Sequence, residues 1–401
     1  MTDRPRQPFK ALAAGLALTL AACAVAANGE TSGPDGLMVW EDLLERPRPQ
    51  PTTTIHYGED ALQVVDLWLP EGAGPHPVAL MVHGGCWQTD IADRTLMNWI
   101  AEDLRDRGIA VWNIDYRGVD RPGGGYPGTF LDAAAAADAL REHAAHYHLD
   151  LSRVVATGHS AGGHLALWLA ARPAAVRRNR GVRITLRLPG ADAAAIERRM
   201  VAPLKAAIRQ RLGDREIVSN LTEGGATLDI LYPEFIQAAE AAYTLGETLA
   251  APAEGEMTID TPSDDLPPSS PVLHGNPLAI RSVVSLGGLP DLEEAARPPG
   301  SGCGTEIIGR LIGAAAPDRQ DPYADTSVPR LGPLGVRQVL VNGDRDRIIP
   351  TSYAEGYARP MRAAGDEVRV RMVERTGHVE LVAPGTAAWA AAVEEIMRAI
   401  D

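Results

Sequence analysis

Positive charge is in short supply in this sequence: 38 Lys and Arg stand against 52 Asp and Glu, a formal charge of −14 over 401 residues. An acidic chain repels phosphate backbones and anionic headgroups. This argues against nucleic-acid binding and against electrostatic adhesion to a lipid surface. Cysteine is scarce as well, with three residues, Cys23, Cys86 and Cys303. No two of them form a C-x-x-C pair and none clusters with histidine, so nothing points to zinc. Beyond Ala27 no apolar run reaches the length of a bilayer span, and no segment repeats another. Glycine and proline (40 and 31 residues) are plentiful without dominating, and 45% of the chain is hydrophobic. These values describe a loop-rich globular protein with ample core. The length suits two domains, or one large α/β domain carrying insertions.

The amino terminus is not fold. Arg4, Arg6 and Lys10 form a basic head, Ala11 to Ala22 is an apolar stretch, and Leu20-Ala-Ala-Cys23 follows. This pattern is an export signal, and its end resembles a bacterial lipobox. On that reading residues 1–22 are a signal peptide and Cys23 carries a lipid. The mature protein is then a membrane-anchored lipoprotein facing the periplasm or cell exterior. Cleavage after Ala24-Val25-Ala26 would instead give a soluble secreted or periplasmic protein. Residues 23–51 are polar and proline-rich near their end, as a tether would be. Cys86 and Cys303 remain as two thiols that an exported protein could pair, which spacing alone does not decide.

From residue 52 onward, strand and helix signals alternate. Leu62 to Leu69 alternates like a half-buried strand, and Pro77 to His83 is a continuous apolar run, as in a strand covered on both faces. Further strands are expected at 109–116, 153–158, 280–286, 336–343 and 367–374. Helices are expected at 96–107, 130–147, from 161, at 351–364 and at 386–400. The order predicts an α/β domain over 52–401 with a mostly parallel sheet and helices on both faces. Residues 176–276 break the rhythm and read as an insertion. It is expected to be largely helical, with helices at 193–212 and 233–249 and loop over 251–276.

Chemistry concentrates in Gly-His-Ser-Ala-Gly, 158–162. The motif lies between a strand and a helix, the setting of a nucleophile elbow. Small neighbours let the turn be tight, lifting the Ser160 hydroxyl above the strand end. The Ala161 N–H, at a helix start, then points where a negative oxygen would form. His83-Gly84-Gly85 ends a buried strand, and its bare backbone offers further oxyanion donors at Gly84 and Gly85. Cys86 and Trp87 follow as candidate pocket residues, while His83 reads as a histidine that holds the loop. Serine needs a base. His159 should point away on a tight turn, and His164 reads as structural. His378, after a late strand, stands where the order Ser…Asp…His places the base. The orienting acid is expected at Asp346, with Asp344 and Asp291 as other candidates. No metal or cofactor is needed.

The motifs HGGCWQ at 83–88, DYRG at 115–118, GHSAGGHLA at 158–166, GDRDRIIP at 343–350 and GHVELVAP at 377–384 together resemble the α/β-hydrolase superfamily. Within it, the chain is similar to the carboxylesterase and arylformamidase branch, with its bacterial feruloyl-esterase-like domains. The resemblance implies Ser160 as nucleophile, His378 as base and Asp346 as acid. It also implies an oxyanion hole from Gly84, Gly85 and Ala161. Cys86 and the insertion depart from the branch pattern. The function expected is a serine hydrolase of small carboxylic esters working through an acyl-enzyme. An arylformamidase-type amide hydrolase and a catalytically silent binding protein are the alternatives. The insertion leaves the sheet on the side away from the serine, so it reads as a lateral subdomain before it reads as a cap.

Overall fold

The computed structural model of the chain describes residues 33–212, 217–222, 225–231, 256–260 and 270–401. The export signal, Cys23 and the helix expected at 233–249 lie outside the described residues.

Eight strands form one sheet. They are β1 (Thr53–His56), β2 (Val64–Trp68), β3 (His76–Val82), β4 (Ala110–Ile114), β5 (Leu149–His159), β10 (Ser282–Leu286), β11 (Arg337–Gly343) and β12 (Val368–Val373). Their spatial order is β1-β2-β4-β3-β5-β10-β11-β12. The strands from β4 to β12 run parallel, whereas β1 and β2 pair antiparallel at one edge. Successive strand residues point to opposite faces, so each strand feeds two cores. Val78, Leu80 and Val82 face one core, and Ala79 and Met81 the other. The first core is closed by α3 (Gly128–Ala144) and α4 (Ala161–Arg180), and the second by α2 (Asn98–Asp106) and the carboxyl-terminal helix α7 (Ala387–Ile400). Burial on both faces explains why the middle strands are continuous apolar runs.

Residues 33–51 are not the free tether expected of them. They hold a short helix, α1 (Trp40–Leu44), and strap across the sheet domain. Met38 and Leu43 are buried in the second core. Trp99 Nε1 donates to the Pro47 carbonyl at 3.0 Å, and Asn98 Nδ2 to that of Pro49 at 2.9 Å. Proline and arginine content disguised a segment whose few apolar residues, Leu37 to Leu44, carry the docking.

The insertion differs from expectation in kind. Its described residues include a second, four-stranded antiparallel sheet in the order β7-β8-β6-β9. The strands are β6 (Gly181–Arg187), β7 (Ile217–Thr222), β8 (Gly225–Leu231) and β9 (Glu256–Asp260). β9 falls in the stretch expected to be loop. Helices α5 (Ala193–Ile196) and α6 (Ala202–Leu212), joined by a π-helical turn, pack on this sheet. Val182, Ile184, Leu186, Leu228 and Ile230 meet Ile196, Met200 and Ile208 in a core separate from the other two.

Candidate active site

Ser160, Asp346, His378 and the Gly84–Gly85 turn sit beyond the carboxyl ends of parallel strands, where open α/β sheets bind ligands. Ser160 follows β5 and opens α4. Its φ of 53° lies in the left-handed region, a costly conformation for a side-chain-bearing residue that marks a built turn. The flanking glycines are dictated by close approach. A Cβ on Gly158 would lie 2.2 Å from the Gly162 carbonyl oxygen, and one on Gly162 would lie 2.2 Å from that of Val82. Any larger residue at either position would force strand, helix and oxyanion loop apart. The Ser160 N–H donates to the Leu286 carbonyl at 2.8 Å, tying the turn to β10.

The oxyanion-loop residues come close. A Cβ on Gly84 would lie 2.9 Å from His159 Nδ1, 3.0 Å from the His159 carbonyl oxygen and 3.2 Å from the Ser160 Cβ, so the loop packs closely on the elbow. Ala161 is buried at the first position of α4, where the N–H has no partner within the helix. The loop is held from behind. His83 is buried, its Nε2 lies 3.0 Å from Asp115 Oδ1, its Nδ1 lies 2.7 Å from the Gly84 carbonyl oxygen, and its ring stacks on Tyr116 at 4.3 Å. Arg94 reaches the other Asp115 oxygen at 2.9 Å. Burial alone would raise the Asp115 carboxyl; the hydrogen bonds and charges of His83 and Arg94 outweigh it and hold the carboxyl below the usual range.

His378 follows β12, and Asp346 follows β11. His378 Nδ1 lies 2.6 Å from Asp346 Oδ2. The other Asp346 oxygen accepts the N–H groups of Ile348 and Ile349 at 2.8 and 2.9 Å, which fixes the carboxylate plane. The remaining two candidates are engaged elsewhere. Asp344 accepts the Thr376 N–H and so braces the His378 loop, and Asp291 caps the helix that begins at Leu292. Ser160, His378, Gly85 and Cys86 line one cavity of about 600 Å³. Among the described residues of the insertion, none lines it.

Two placements, those of Trp87 and His159, differ from the sequence reading. Trp87 does not line the cavity; it is fully buried and packs edge-on against His164 at 5.5 Å. The preceding residue is bonded: Cys86 forms a disulfide with Cys303, linking the oxyanion loop to the segment beyond β10. His159 does not point away. Its ring lies 4.3 Å from that of His378, and its Nε2 is 3.1 Å from the His378 carbonyl oxygen. Burial pushes the His159 imidazole well below its ordinary value, and the neighbouring His378 adds to this. A neutral His159 donates its Nε2 proton to that carbonyl, which fixes the tautomer. His164 is buried with Nε2 2.9 Å from the Thr326 carbonyl oxygen, and burial lowers it to about 4. Trp40, from the strap, lines the cavity as well and was invisible to motif reading.

Residues 65–182 match the BD-FAE family model. Set beside the sheet order and the strand-turn-helix serine, that match over part of the chain agrees with the fold. The chain has an α/β-hydrolase fold. A probable isoprenylcysteine alpha-carbonyl methylesterase of Arabidopsis thaliana is 34% identical over 119 residues, which is 29% of this chain and 24% of that one. The chain thus spans about a quarter of the length of the curated relative it matches. Two solved structures share the fold. Thermogutta terrifontis esterase 2, phosphonylated by sarin, superposes with a TM-score of 0.51 at 15% identity, covering 88% of this chain and 94% of that one. A truncated carbohydrate esterase from gut microbiota gives 0.50 at 17% identity, covering 88% and 98%. The matches fall with the carboxylesterase branch of the superfamily that the motifs resemble.

Proposed function

We propose that this site hydrolyses small carboxylic esters through an acyl-enzyme on Ser160. The observation that carries the reading is the His378–Asp346 pair at 2.6 Å, opening onto the cavity that also holds a serine in the left-handed turn. Asp346 fixes the imidazole with its Nδ1 protonated, leaving Nε2 as the base. His378 takes the Ser160 proton as the oxygen attacks the ester carbonyl. The negative oxygen of the tetrahedral intermediate forms beside the N–H groups of Ala161 and the Gly84–Gly85 loop. The imidazolium, stabilised by Asp346, returns the proton to the departing alcohol. Water then attacks the acyl-enzyme with the same base, and the acid leaves. The esterase activity named for the relatives supports this reaction class.

A panel of p-nitrophenyl and alkyl esters, with formanilides for comparison, tests the reading. Ser160→Ala and His378→Gln should each lower ester turnover by about three orders of magnitude or more, at an unchanged thermal midpoint. Wild-type turnover surviving in folded Ser160→Ala would refute it. Faster turnover of formanilides than of esters would select the amide hydrolase instead.

A further inference from the structure

Two cavities meet at His378. The first, about 600 Å³, contains Ser160 and the oxyanion loop. The second, about 350 Å³, lies between the amino-terminal strap and the loop after β11; it is lined by His378 but by neither Ser160 nor residues 84–86. Trp40 lines both. Its indole stands edge-on to the two imidazoles, 5.9 Å from His159 at 77° and 6.5 Å from His378 at 84°.

The strap is clamped where it matters for the imidazole. Glu380 is buried, and its two oxygens serve two segments. Oε1 accepts the Met38 N–H at 2.7 Å, and Oε2 accepts the Gly377 N–H at 3.1 Å. One carboxylate therefore joins the strap to the residue before His378. Asp35 pairs with Arg347 at 2.8 Å on the far side of the loop after β11. Trp40 is thus held against the reacting histidine by the same anchor that orders the histidine loop.

We infer that Trp40 is a specificity-determining residue that walls the leaving-group side of the site and favours esters whose alcohol carries a planar ring. The inference rests on the hydrolase reading above. In acyl transfer the imidazole must hand its proton to the leaving oxygen, so the alcohol lies against His378 while the acyl carbonyl faces the oxyanion donors. The second cavity offers His378 without those donors, and it is therefore the alcohol's side. Beside Glu41, Arg345 and Arg347, its lining presents the apolar Trp40 indole, whose flat face a planar ring covers better than a short alkyl chain does.

The test compares benzyl acetate with ethyl acetate, a pair of esters that share an acyl group and have alkyl alcohols as leaving groups. Trp40→Ala should reduce the benzyl-to-ethyl ratio of kcat/KM about tenfold, and Trp40→Phe should keep most of it. Glu380→Gln, which leaves one of the two N–H groups without its acceptor, should move the ratio the same way. The ratio of ethyl phenylacetate to ethyl acetate should stay unchanged in all three. An unchanged benzyl-to-ethyl ratio in a folded Trp40→Ala that still hydrolyses ethyl acetate overturns the assignment alone. So does a loss confined to ethyl phenylacetate, which would put Trp40 on the acyl side. Wild-type protein that hydrolyses neither acetate and takes no label at Ser160 defeats the hydrolase reading and this inference together.

Discussion

Four histidines surround the elbow, and what their nitrogens touch separates them. His83 spans Asp115 and its own loop, His164 faces the Thr326 carbonyl and His159 the His378 carbonyl; of the two that pair with a carboxylate, His83 and His378, only His378 lines the cavity with Ser160. Chain order after a late strand pointed to His378 and the glycine spacing to Ser160 as the expected base and nucleophile, and both line one cavity. The position of His159 was not legible, because a tight turn fixes the direction of the serine and leaves its neighbour free to follow the adjacent loop. Burial also sets an acid limit on stability. The His164 imidazole is lowered to about 4, so between roughly pH 6.5 and 4 the unfolded chain binds a proton that the folded chain refuses. Stability therefore falls as pH drops through that window and is fully present above it; His159 acts with the same sign. Urea unfolding of the wild type should lose on the order of 2 kcal/mol from His164 alone between pH 7 and pH 5. His164→Gln should show a shallower dependence by that amount. Equal pH slopes in the two proteins would contradict the assignment.

At the scale of elements, the sheet strands were readable because burial on both faces leaves long apolar runs, Pro77 to His83 being the plainest. The insertion's strands were not, although β6 and β8 carry a clean alternation of Val182, Ile184, Leu186 and of Ala226, Leu228, Ile230. Arginines and a helix-rich flank masked a period of two. The strap was missed for a related reason: proline and charge suggested a linker, whereas Met38 and Leu43 belong to the core. The disulfide is an element-level device too. Cys86 carries the oxyanion loop and Cys303 the segment after β10, 217 positions apart. Closing so long a loop stabilises by about 2–5 kcal/mol. The Cys86→Ser, Cys303→Ser double variant should lose stability in that range by chemical unfolding. Its ester turnover should fall several-fold at temperatures where it remains folded, because Gly84 and Gly85 lose their tether. Unchanged stability and unchanged kcat would show that the loop holds itself.

For the whole molecule, the parallel sheet is what brings residues 84, 160, 346 and 378 together: each ends a strand, and all four strands end on one side. A separate core keeps the second sheet structurally apart, so the described part of the insertion enlarges the molecule without supplying a side chain to the cavity. The acidic balance of the chain fits a small neutral ester better than a polyanionic partner. Labelling with a fluorophosphonate probe, followed by mass spectrometry of the digested protein, tests the account most directly. A single adduct on Ser160 is expected in the wild type, strongly reduced in His378→Gln and absent in Ser160→Ala. A folded, ester-hydrolysing wild type whose Ser160 stays unmodified, or whose adduct lies on another residue, would contradict it.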